Sequence, residues 1–560
     1  MMNSNVNWVT LPDSILLKIF SYLNVAHISV ISLVCSSWYR VAQDEFLWKR
    51  FFLEDFQISK KKKLAPGKTS WIAEYRRLIE EIPLVECECL EEHYHQVLHV
   101  SFSHNGEMFA TTSKDGFVVV WASSYPAEML FYKDMKLYSW KYTQFSQFNS
   151  TDDLLLVSGV HFGSSSTSGE IAVFNLEDNF KLQCRVLNKP YDIFGTWFND
   201  EYLLSGELKW LGQMVSANII WLNKANQGLE SEHEAILSRM YQFYNINASS
   251  IRTLLAHGNP PSLPIFQSSD KNCPSTFGVS SKDEEETSID PCVKCYQTSP
   301  EKLLIFTTGS KTYSPHQIGI KRVKNFKIPT IIDVGPCLKE RIEQRDMERE
   351  LRNQGLLQRP DWLNYESVKD KFDIIDHVFD LHGHIIGMNL SPDHRFLYVN
   401  SRPWPQNYTI ENPLHPPIIA QEIDIHVIDL VDMKEVGSLL RSHRAYTPNA
   451  ECFFIFLDVS QDYVASGAED KHGYLWERNY ETCVARLRHT DVVNSVAFNP
   501  VDPETLVSVS DDHRIKIWRS RRRTRELGIK IEKEKLGQEL RLKRSRVEDE
   551  VMNWKSSGRK

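Results

Sequence analysis

One strand pattern recurs along this 560-residue chain and limits the folds that it can adopt. Three segments read as short alternating strands separated by tight turns: 98–121, 453–476 and 492–518. In each of them an Asp precedes the closing Trp by six residues, at Asp115–Trp121, Asp470–Trp476 and Asp512–Trp518. The two late Trp are 42 residues apart, a spacing that is typical of a four-stranded propeller blade.

Weaker copies of the pattern lie between the first strong copy and the last two. Their closing strands lie at Phe174, Trp221, about Ile320 and about Ile428. Together with the three strong copies they predict an all-β propeller over residues 84–520, with seven blades as the simplest count and six or eight as alternatives. A ring of seven closes most simply if residues 84–90 supply the outer strand of the last blade.

The strong copies resemble WD40 repeats. The resemblance implies a hydrogen-bond network of His, Ser or Thr, Asp and Trp inside each well-formed blade. The residues assigned to this network are His95, Asp115, Trp121, Asp470, Trp476, His489, Asp512 and Trp518. We therefore expect these side chains to stabilise blades and not to catalyse a reaction.

Two long inserts interrupt the predicted ring. Residues 223–300 combine a helix-like segment at 232–244 with a Pro- and Ser-rich acidic stretch that predicts disorder. Residues 324–371 contain a charged segment that predicts a solvent-facing helix. Cys292 and Cys295 have the spacing of a zinc knuckle but lack regular partners, so we expect free thiols, no metal site and no cofactor.

The N-terminal stretch 11–48 has the periodicity of helices and carries many apolar residues. Its apolar positions fall into three clusters, with a break at Asn24, which predicts three short helices. Three such helices within about 40 residues cannot bury so much apolar surface among themselves. The excess predicts either packing against the main domain or a docking face for another protein.

The order of apolar residues in this stretch resembles an F-box. That resemblance implies a three-helix domain over residues 1–55, which binds the Skp-type adaptor of an SCF ubiquitin ligase on a cullin-1 scaffold. A linker with one helix follows over residues 56–83. The residues assigned to the F-box core and adaptor face are Leu11, Pro12, Leu16, Ile19, Phe20, Leu23, Val34, Cys35, Trp38, Leu47 and Trp48.

Composition and charge exclude several other classes of protein. A net charge of −8 and a pI near 6.2 do not favour nucleic-acid binding. Residues 521–560 are locally basic and predict a solvated tail, with a nuclear-import or partner-binding segment as the alternative. No run of 18 apolar residues occurs, so no membrane span is expected. Scattered cysteines without a regular framework favour reduced thiols and a cytoplasmic location, with a nuclear fraction as the alternative.

The sequence contains none of the common phosphate-binding, serine-hydrolase or zinc-protease motifs. An F-box followed by a degenerate propeller resembles the F-box/WD-repeat family. This implies a non-catalytic subunit whose propeller holds a protein substrate for ubiquitination and degradation. Two alternatives stay open. Trp518 and Arg521 resemble the WDxR ending that binds the β-propeller adaptor of cullin-4 ligases, although Arg519 replaces the Asp; or the chain is a scaffold without ubiquitin transfer.

Overall fold

The part of the chain whose structure is described begins at Leu11 and ends at Glu539. The computed structural model covers residues 11–539 with the exception of 163–166, 191–192, 213, 227–235, 247–250, 259–295, 299–300, 313, 325, 330–342, 344, 348, 352–353, 355–359, 411–416, 418–419, 438–439, 445–453 and 533–534.

Four helices lie in the described part of the first 55 residues: α1 (Asp13–Phe20), α2 (Val25–Ile31), α3 (Ser36–Ala42) and α4 (Glu45–Asp55). The predicted number was three. The second predicted helix is divided because Cys35 adopts an extended conformation (φ −161°, ψ 167°) directly before α3. A fifth helix, α5 (Trp71–Glu80), begins after the N-cap Ser70 and leads into the ring. Within the described residues no helix is long and apolar enough to span a membrane.

Seven antiparallel sheets form a ring of blades, each named here by its order along the chain. Blade 1 consists of Val97–Phe102, Met108–Ser113, Phe117–Ala122 and Met129–Asp134. Blade 2 consists of Trp140–Phe148, Leu154–Phe162, Thr167–Asn175 and Lys181–Asn188. Blade 3 consists of Thr196–Trp197, Tyr202–Trp210, Val215–Lys224 and Ile236–Ile246. A 3-10 turn, Met135–Tyr138, joins blades 1 and 2.

Blade 4 consists of Leu254–Gly258, Lys302–Thr308, Gln317–Val323 and His377–Asp380, with a separate pair of strands at Tyr296–Thr298 and Lys327–Pro329. Blade 5 consists of Gly383–Leu390, Phe396–Pro403, Glu422–Asp429, Lys434–Glu435 and Leu440–Arg444. Blade 6 consists of Leu457–Val459, Tyr463–Ser466, His472–Glu477, Thr482–Arg488 and Gln538–Glu539. Blade 7 consists of Val493–Phe498, Thr505–Ser510, Ile515–Ser520 and Pro83–Leu90.

The strand that follows α5 belongs to the last blade. Pro83–Leu90 runs antiparallel to Ile515–Ser520, with Glu86 opposite Trp518 and Leu90 opposite Ile515. This pairing confirms the prediction that residues 84–90 close the ring. The seven predicted closing strands are also confirmed, because each lies in the third strand of its blade.

The described part of the segment 232–244, residues 236–244, belongs to a strand and not to the predicted helix. Ile236–Ile246 pairs along the edge of Val215–Lys224 and completes blade 3. Its Phe243 ring stacks against Phe306 of blade 4, with centroids 4.9 Å apart. A free sheet edge and an apolar neighbour therefore override the helical pattern. Cys292, Cys295 and most of the charged segment in the second insert lie outside the described residues; α6 (Tyr365–Val368) and a 3-10 turn, Lys369–Lys371, close that insert.

The C-terminal segment up to Glu539 is part of the fold, whereas the sequence predicts a solvated tail from residue 521. Helix α7 (Arg521–Glu526) follows blade 7 directly. The backbone N–H of Gly537 then donates to the carbonyl of Leu84 at 2.8 Å. Gln538–Glu539 pairs with the outer strand of blade 6. This segment therefore joins the outer strands of blades 6 and 7.

One hydrophobic core joins the N-terminal helices to the ring. It contains Phe20, Trp48 and Phe52 from the helices together with Tyr480 and Leu487 from blade 6. The Phe52 ring lies edge-on to Tyr480 with centroids 4.8 Å apart. The N-terminal helices are consequently not an independent domain, because they share a hydrophobic core with the ring.

The hydrogen-bond network of blade 1 uses His93, and the assignment of His95 is wrong. His93 Nδ1 lies 2.8 Å from Asp115 Oδ2, its Nε2 lies 2.9 Å from Thr111 Oγ1, and Trp121 Nε1 donates to the same hydroxyl at 3.0 Å. His95 is instead exposed. The two histidines are two residues apart in an irregular segment, so spacing alone does not identify the buried one.

Blade 7 has the predicted network. His489 contacts Asp512 at 3.0 Å and Ser508 at 2.7 Å, and Trp518 Nε1 donates to Ser508 at 2.7 Å. In blade 6, Asp470 accepts a hydrogen bond from the hydroxyl of Tyr474 at 2.5 Å. Trp476 is buried there.

Burial alone would raise the pKa of Asp115, but hydrogen bonds from His93 and from the backbone hold that pKa below its usual value. The ionised carboxylate therefore stabilises the folded state at neutral pH. This contribution is lost as the pH falls from about 3.9, the usual pKa of Asp, through the lower pKa of the folded state.

We expect His93→Ala to lower the free energy of unfolding by about 2–3 kcal/mol, because it leaves Asp115 and Thr111 buried without this partner. His95→Ala is the matched control and should change the free energy by less than about 0.5 kcal/mol. Urea unfolding followed by tryptophan fluorescence measures both. Equal losses in the two variants would contradict the network described for blade 1.

Close approach between blades 6 and 7 requires a glycine. A Cβ atom on Gly467 would overlap the carbonyl oxygen of Val493, which belongs to the neighbouring blade and cannot rotate away. Gly473 lies in the same blade, but its Cβ would meet its nearest atom, Leu487 Cβ, at an ordinary 3.5 Å.

We expect Gly467→Ala to destabilise the protein by about 1–3 kcal/mol, because it forces two blades apart. Gly473→Ala should leave stability unchanged or raise it by about 0.4–1 kcal/mol, since it restricts the unfolded chain. Thermal unfolding of the two variants tests the close packing. A Gly467→Ala protein as stable as the Gly473→Ala protein would show that blades 6 and 7 can accommodate a Cβ atom at this position.

Candidate docking site

The structure divides the predicted F-box residues into core and surface. Leu16, Phe20, Leu47 and Trp48 are buried and hold the helices together. The partly buried residues are Leu11, Leu23, Cys35 and Trp38, and the exposed ones are Pro12, Ile19 and Val34. Only the last group, with the edges of the second, is available to another protein.

A set of large apolar side chains lies on the surface of the same helices. Tyr22 is 74% exposed and Leu33 is 84% exposed. Leaving such large apolar side chains in water costs free energy, so a cluster of them indicates a binding surface. The other exposed members are Ile15, Ile19, Val30, Val34, Tyr39 and Phe46. We use the name docking face for Ile15, Ile19 and Tyr22 of α1 and the α1–α2 turn together with Leu33 and Val34 of the α2–α3 turn.

Spacing and packing together produce the docking face. Ile15, Ile19 and Tyr22 recur at intervals of four and three residues, so they lie on one side of α1. Leu16 and Phe20 lie on the other side and are buried. Helix α3 packs beside α1. The ring centroids of Phe20 and Trp38 are 5.7 Å apart, and Arg40 Nη2 donates to both carboxylate oxygens of Asp13 at 2.8 Å.

Polar contacts fix the angles between these helices. Trp48 Nε1 donates to the carbonyl of Ala42 at 2.7 Å and thereby holds α4 against the end of α3. Arg50 donates to the carbonyl of Ser21 at 2.6 Å, which holds α4 against the end of α1. The docking face therefore lies on a firm base of buried side chains and short hydrogen bonds.

Ile15, Tyr22 and Leu33 were not among the predicted site residues. A single sequence gives the apolar periodicity of a helix but does not say which side meets the ring. The spacing of Ile15, Ile19 and Tyr22, opposite to Leu16 and Phe20, was the available signal. This spacing identifies an exposed surface only once the side of α1 that carries Leu16 and Phe20 is known to be buried.

The predicted second contact at the end of blade 7 is used inside the chain. Trp518 is almost fully buried and donates to Ser508. Arg521 donates to the carbonyl of Ile79 at 2.7 Å and contacts Glu539 at 2.6 Å. The indole is therefore unavailable to a partner, and the guanidinium already links α5 with the C-terminal segment.

Aromatic rings fill the axis of the propeller. Phe145 lies 5.3 Å from Phe194 and 4.5 Å from His99, and Phe194 lies 4.8 Å from Phe454 and 5.6 Å from Phe456. These residues come from blades 1, 2, 3 and 6, and blade 6 is not a neighbour of the other three, so its rings meet theirs at the axis. Burial lowers the pKa of His99 to about 3, so this ring is neutral. The axis is an apolar plug at this level.

The described residues contain no group of three or more His, Cys, Asp or Glu placed to hold a metal ion. The geometry that distinguishes the molecule is instead an apolar docking face on helices that are packed against a ring of seven blades.

Comparison with known proteins agrees with this architecture. Residues 8–54 match the family model described as F-box-like, and residues 85–122 and 481–519 match the WD domain, G-beta repeat. The WD matches cover blade 1 and blade 7 with the closing strand, the blades that have His–Asp networks.

Two similar proteins extend over nearly the whole chain. F-box/WD repeat-containing protein 5 of Mus musculus is 44% identical over 92% of this chain and 95% of its own length. The Homo sapiens protein of the same name is 44% identical over the same shares. A shorter similarity, 47% over 11% of this chain and 10% of the relative, links it to the WD repeat-containing protein 26 homolog of Drosophila melanogaster. With its N-terminal helices, its seven blades and this full-length similarity, the chain belongs to the family of F-box/WD repeat-containing protein 5.

Proposed function

We propose that this protein is the substrate-recognition subunit of an SCF-type ubiquitin ligase. Its docking face binds the Skp-type adaptor, which connects it to a cullin-1 scaffold, and its propeller binds a protein substrate. The observation that carries the proposal is the exposure of Ile15, Tyr22 and Leu33 on helices whose opposite sides are buried in a core that continues into the ring.

The physical argument for a partner is the cost of leaving this surface in water. Complete burial of one large apolar side chain contributes about 1.5–3 kcal/mol to association. The five residues of the docking face together supply the apolar centre that a stable protein–protein interface needs. A charged or nucleic-acid partner would not bury such a surface favourably.

The proposal gives this chain no bond-making step. It brings a substrate lysine near an activated ubiquitin, and the gain in rate comes from proximity and orientation. A rigid junction between the docking face and the substrate-binding surface suits that role. The expected place of action is the cytoplasm.

The substrate is proposed to bind at the end of the ring away from the helices. Tyr463 begins the second strand of blade 6 and Glu477 ends the third, and both contact α5. That end of the ring is occupied by the helices and by α7. The loops between the second and third strands of each blade lie at the opposite end, above the aromatic plug. A substrate therefore binds across those loops, which lie at the end of the ring that the helices do not occupy.

We expect the double variant Ile15→Asp, Leu33→Asp to weaken adaptor binding by about 100-fold or more, because two carboxylates would enter an apolar interface. Both side chains are exposed, so the folded state should keep its thermal midpoint. Titration of purified adaptor into the full chain measures the affinity. Leu137→Asp, which changes a leucine of the ring that is 78% exposed, is the control and should bind normally.

Normal adaptor binding by the double variant would contradict the assignment of the docking face. The same preparations should be probed for the β-propeller adaptor of cullin-4. Capture of that adaptor by the wild type, and its loss in Arg521→Ala, would replace the SCF proposal with the cullin-4 alternative.

Substrates should accumulate on the double variant, because it keeps the propeller but lacks the ligase. Proximity labelling in cells that express either the wild type or Ile15→Asp, Leu33→Asp identifies proteins near the ring. We expect a set of proteins that is enriched on the variant and whose ubiquitination falls when the wild-type chain is depleted. An identical set with unchanged ubiquitination would favour a scaffold without ubiquitin transfer.

A further inference from the structure

A buried arginine connects the helix before the ring to blade 6. Arg77 of α5 donates to both carboxylate oxygens of Glu74, at 3.0 and 2.9 Å. It also donates to Glu477 of blade 6 at 2.9 Å and to the hydroxyl of Tyr463 at 2.9 Å. The three nitrogens of one guanidinium thus reach two strands of the ring and one helix at the same time.

These groups are removed from water. The side chains of Arg77, Glu74 and Glu477 are 7%, 3% and 0% exposed. Burial by itself lowers the pKa of Arg77, but Tyr463 and the two carboxylates outweigh it and raise the pKa above its usual value. The arginine is therefore charged, and its positive charge compensates the buried negative charges of Glu74 and Glu477.

A buried ion pair of this kind contributes orientation more than stability. Removing two charges from water costs about as much as their attraction returns, so a well-packed apolar substitute is often equally stable. The planar guanidinium, however, tolerates only a narrow range of donor directions. Apolar contacts such as that between Phe52 and Tyr480 permit sliding, whereas the Arg77 contacts fix the angle of α5 relative to blade 6.

The contacts around Arg77 define the same angle. Tyr480 of blade 6 donates its hydroxyl proton to Glu74 at 3.0 Å, and the same oxygen accepts the backbone N–H of Ala65 at 3.1 Å. Arg521 holds the far end of α5 through the carbonyl of Ile79. Glu477 also accepts the backbone N–H of Tyr480 at 2.7 Å, so its own position within blade 6 does not require Arg77.

We infer that Arg77 is a positioning residue for ubiquitin transfer: through Glu477 and Tyr463 it fixes the direction in which the propeller presents lysines to a ligase bound at the docking face. The inference rests on the proposed function. Arg77 touches neither the docking face nor the substrate end of the ring, so its loss changes where and how fast ubiquitin arrives without weakening the adaptor.

The test uses the full chain in a ligase reconstituted with the Skp-type adaptor, cullin-1, its RING subunit and ubiquitin. The probe substrate is the chain itself, whose modified lysines are mapped by mass spectrometry. We expect Arg77→Met to keep its adaptor affinity within about twofold, to slow modification of the most used lysine about tenfold, and to spread ubiquitin over other lysines. Arg77→Lys should restore the pattern partly, since it returns the charge without the planar donors.

Two further variants separate orientation from stability. Arg76→Met changes the exposed neighbour of Arg77 on the same helix and should behave as the wild type. Glu74→Gln, Arg77→Met, Glu477→Gln removes the unpaired buried charges, so its thermal midpoint should recover while its lysine pattern stays altered.

A triple variant with the wild-type rate and lysine pattern would overturn the inference, because the fixed contacts would then be dispensable for direction. So would an Arg77→Met protein whose loss of rate merely follows its unfolded fraction. Absence of adaptor binding or ubiquitin transfer by the wild type would instead overturn the proposed function, and the inference with it.

Discussion

The pairing of Pro83–Leu90 with Ile515–Ser520 is the contact on which the rest of the architecture depends. It closes the ring, and it sets the end of α5 directly against the last two blades. Cross-strand ion pairs accompany the backbone ladder, with Glu86 2.7 Å from Lys516 and Glu88 2.5 Å from Arg519. The latter pair is almost completely buried. Because this strand follows α5 almost directly, a change in blade 7 reaches α5, whose Tyr75 donates to Asp55 of α4 at 2.6 Å.

The N-terminal helices divide their surface between two tasks. Leu16, Phe20, Leu47 and Trp48 form the base, and the base continues without a break into Tyr480 and Leu487 of the ring. Ile15, Tyr22 and Leu33 are left outside. The same helices could not carry such an apolar face as an isolated domain, because three or four short helices bury too little surface to hold it in place. The propeller is thus part of the support for the docking face.

Much of the fold can be predicted from the sequence, because its strongest signals are local. The Asp-to-Trp spacing located three blades, and the closing strand was found from the need to complete the seventh. The strand at Ile236–Ile246 could not be predicted, since its partner edge and Phe306 exist only in the folded ring. The choice between His93 and His95 failed for a similar reason. Two residues of irregular backbone decide which imidazole turns inward.

The sequence is sufficient to identify the segment that contains the docking face, but not to identify which of its side chains are exposed. All eleven assigned residues lie in or beside the helices, yet four of them are core, and the two most exposed apolar residues of these helices and their turns, Leu33 and Tyr22, were absent from the set. The spacing of apolar residues along a helix does not show which side of that helix is buried in the folded protein. Packing against blade 6, which is more than 400 residues away in the sequence, determines which side is covered, as the contact between Phe52 and Tyr480 shows.

The closing strand also has a consequence for synthesis on the ribosome. Leu90 leaves the ribosome long before Ile515, its last partner in the ladder. At 5–20 residues per second, roughly 20 seconds to a minute and a half separates the two. Throughout that time residues 83–90 have no strand of blade 7 to pair with, and an unpaired strand edge is a template for pairing with other chains. The nascent protein therefore has a long interval in which its N-terminal helices have been synthesised and its ring is open.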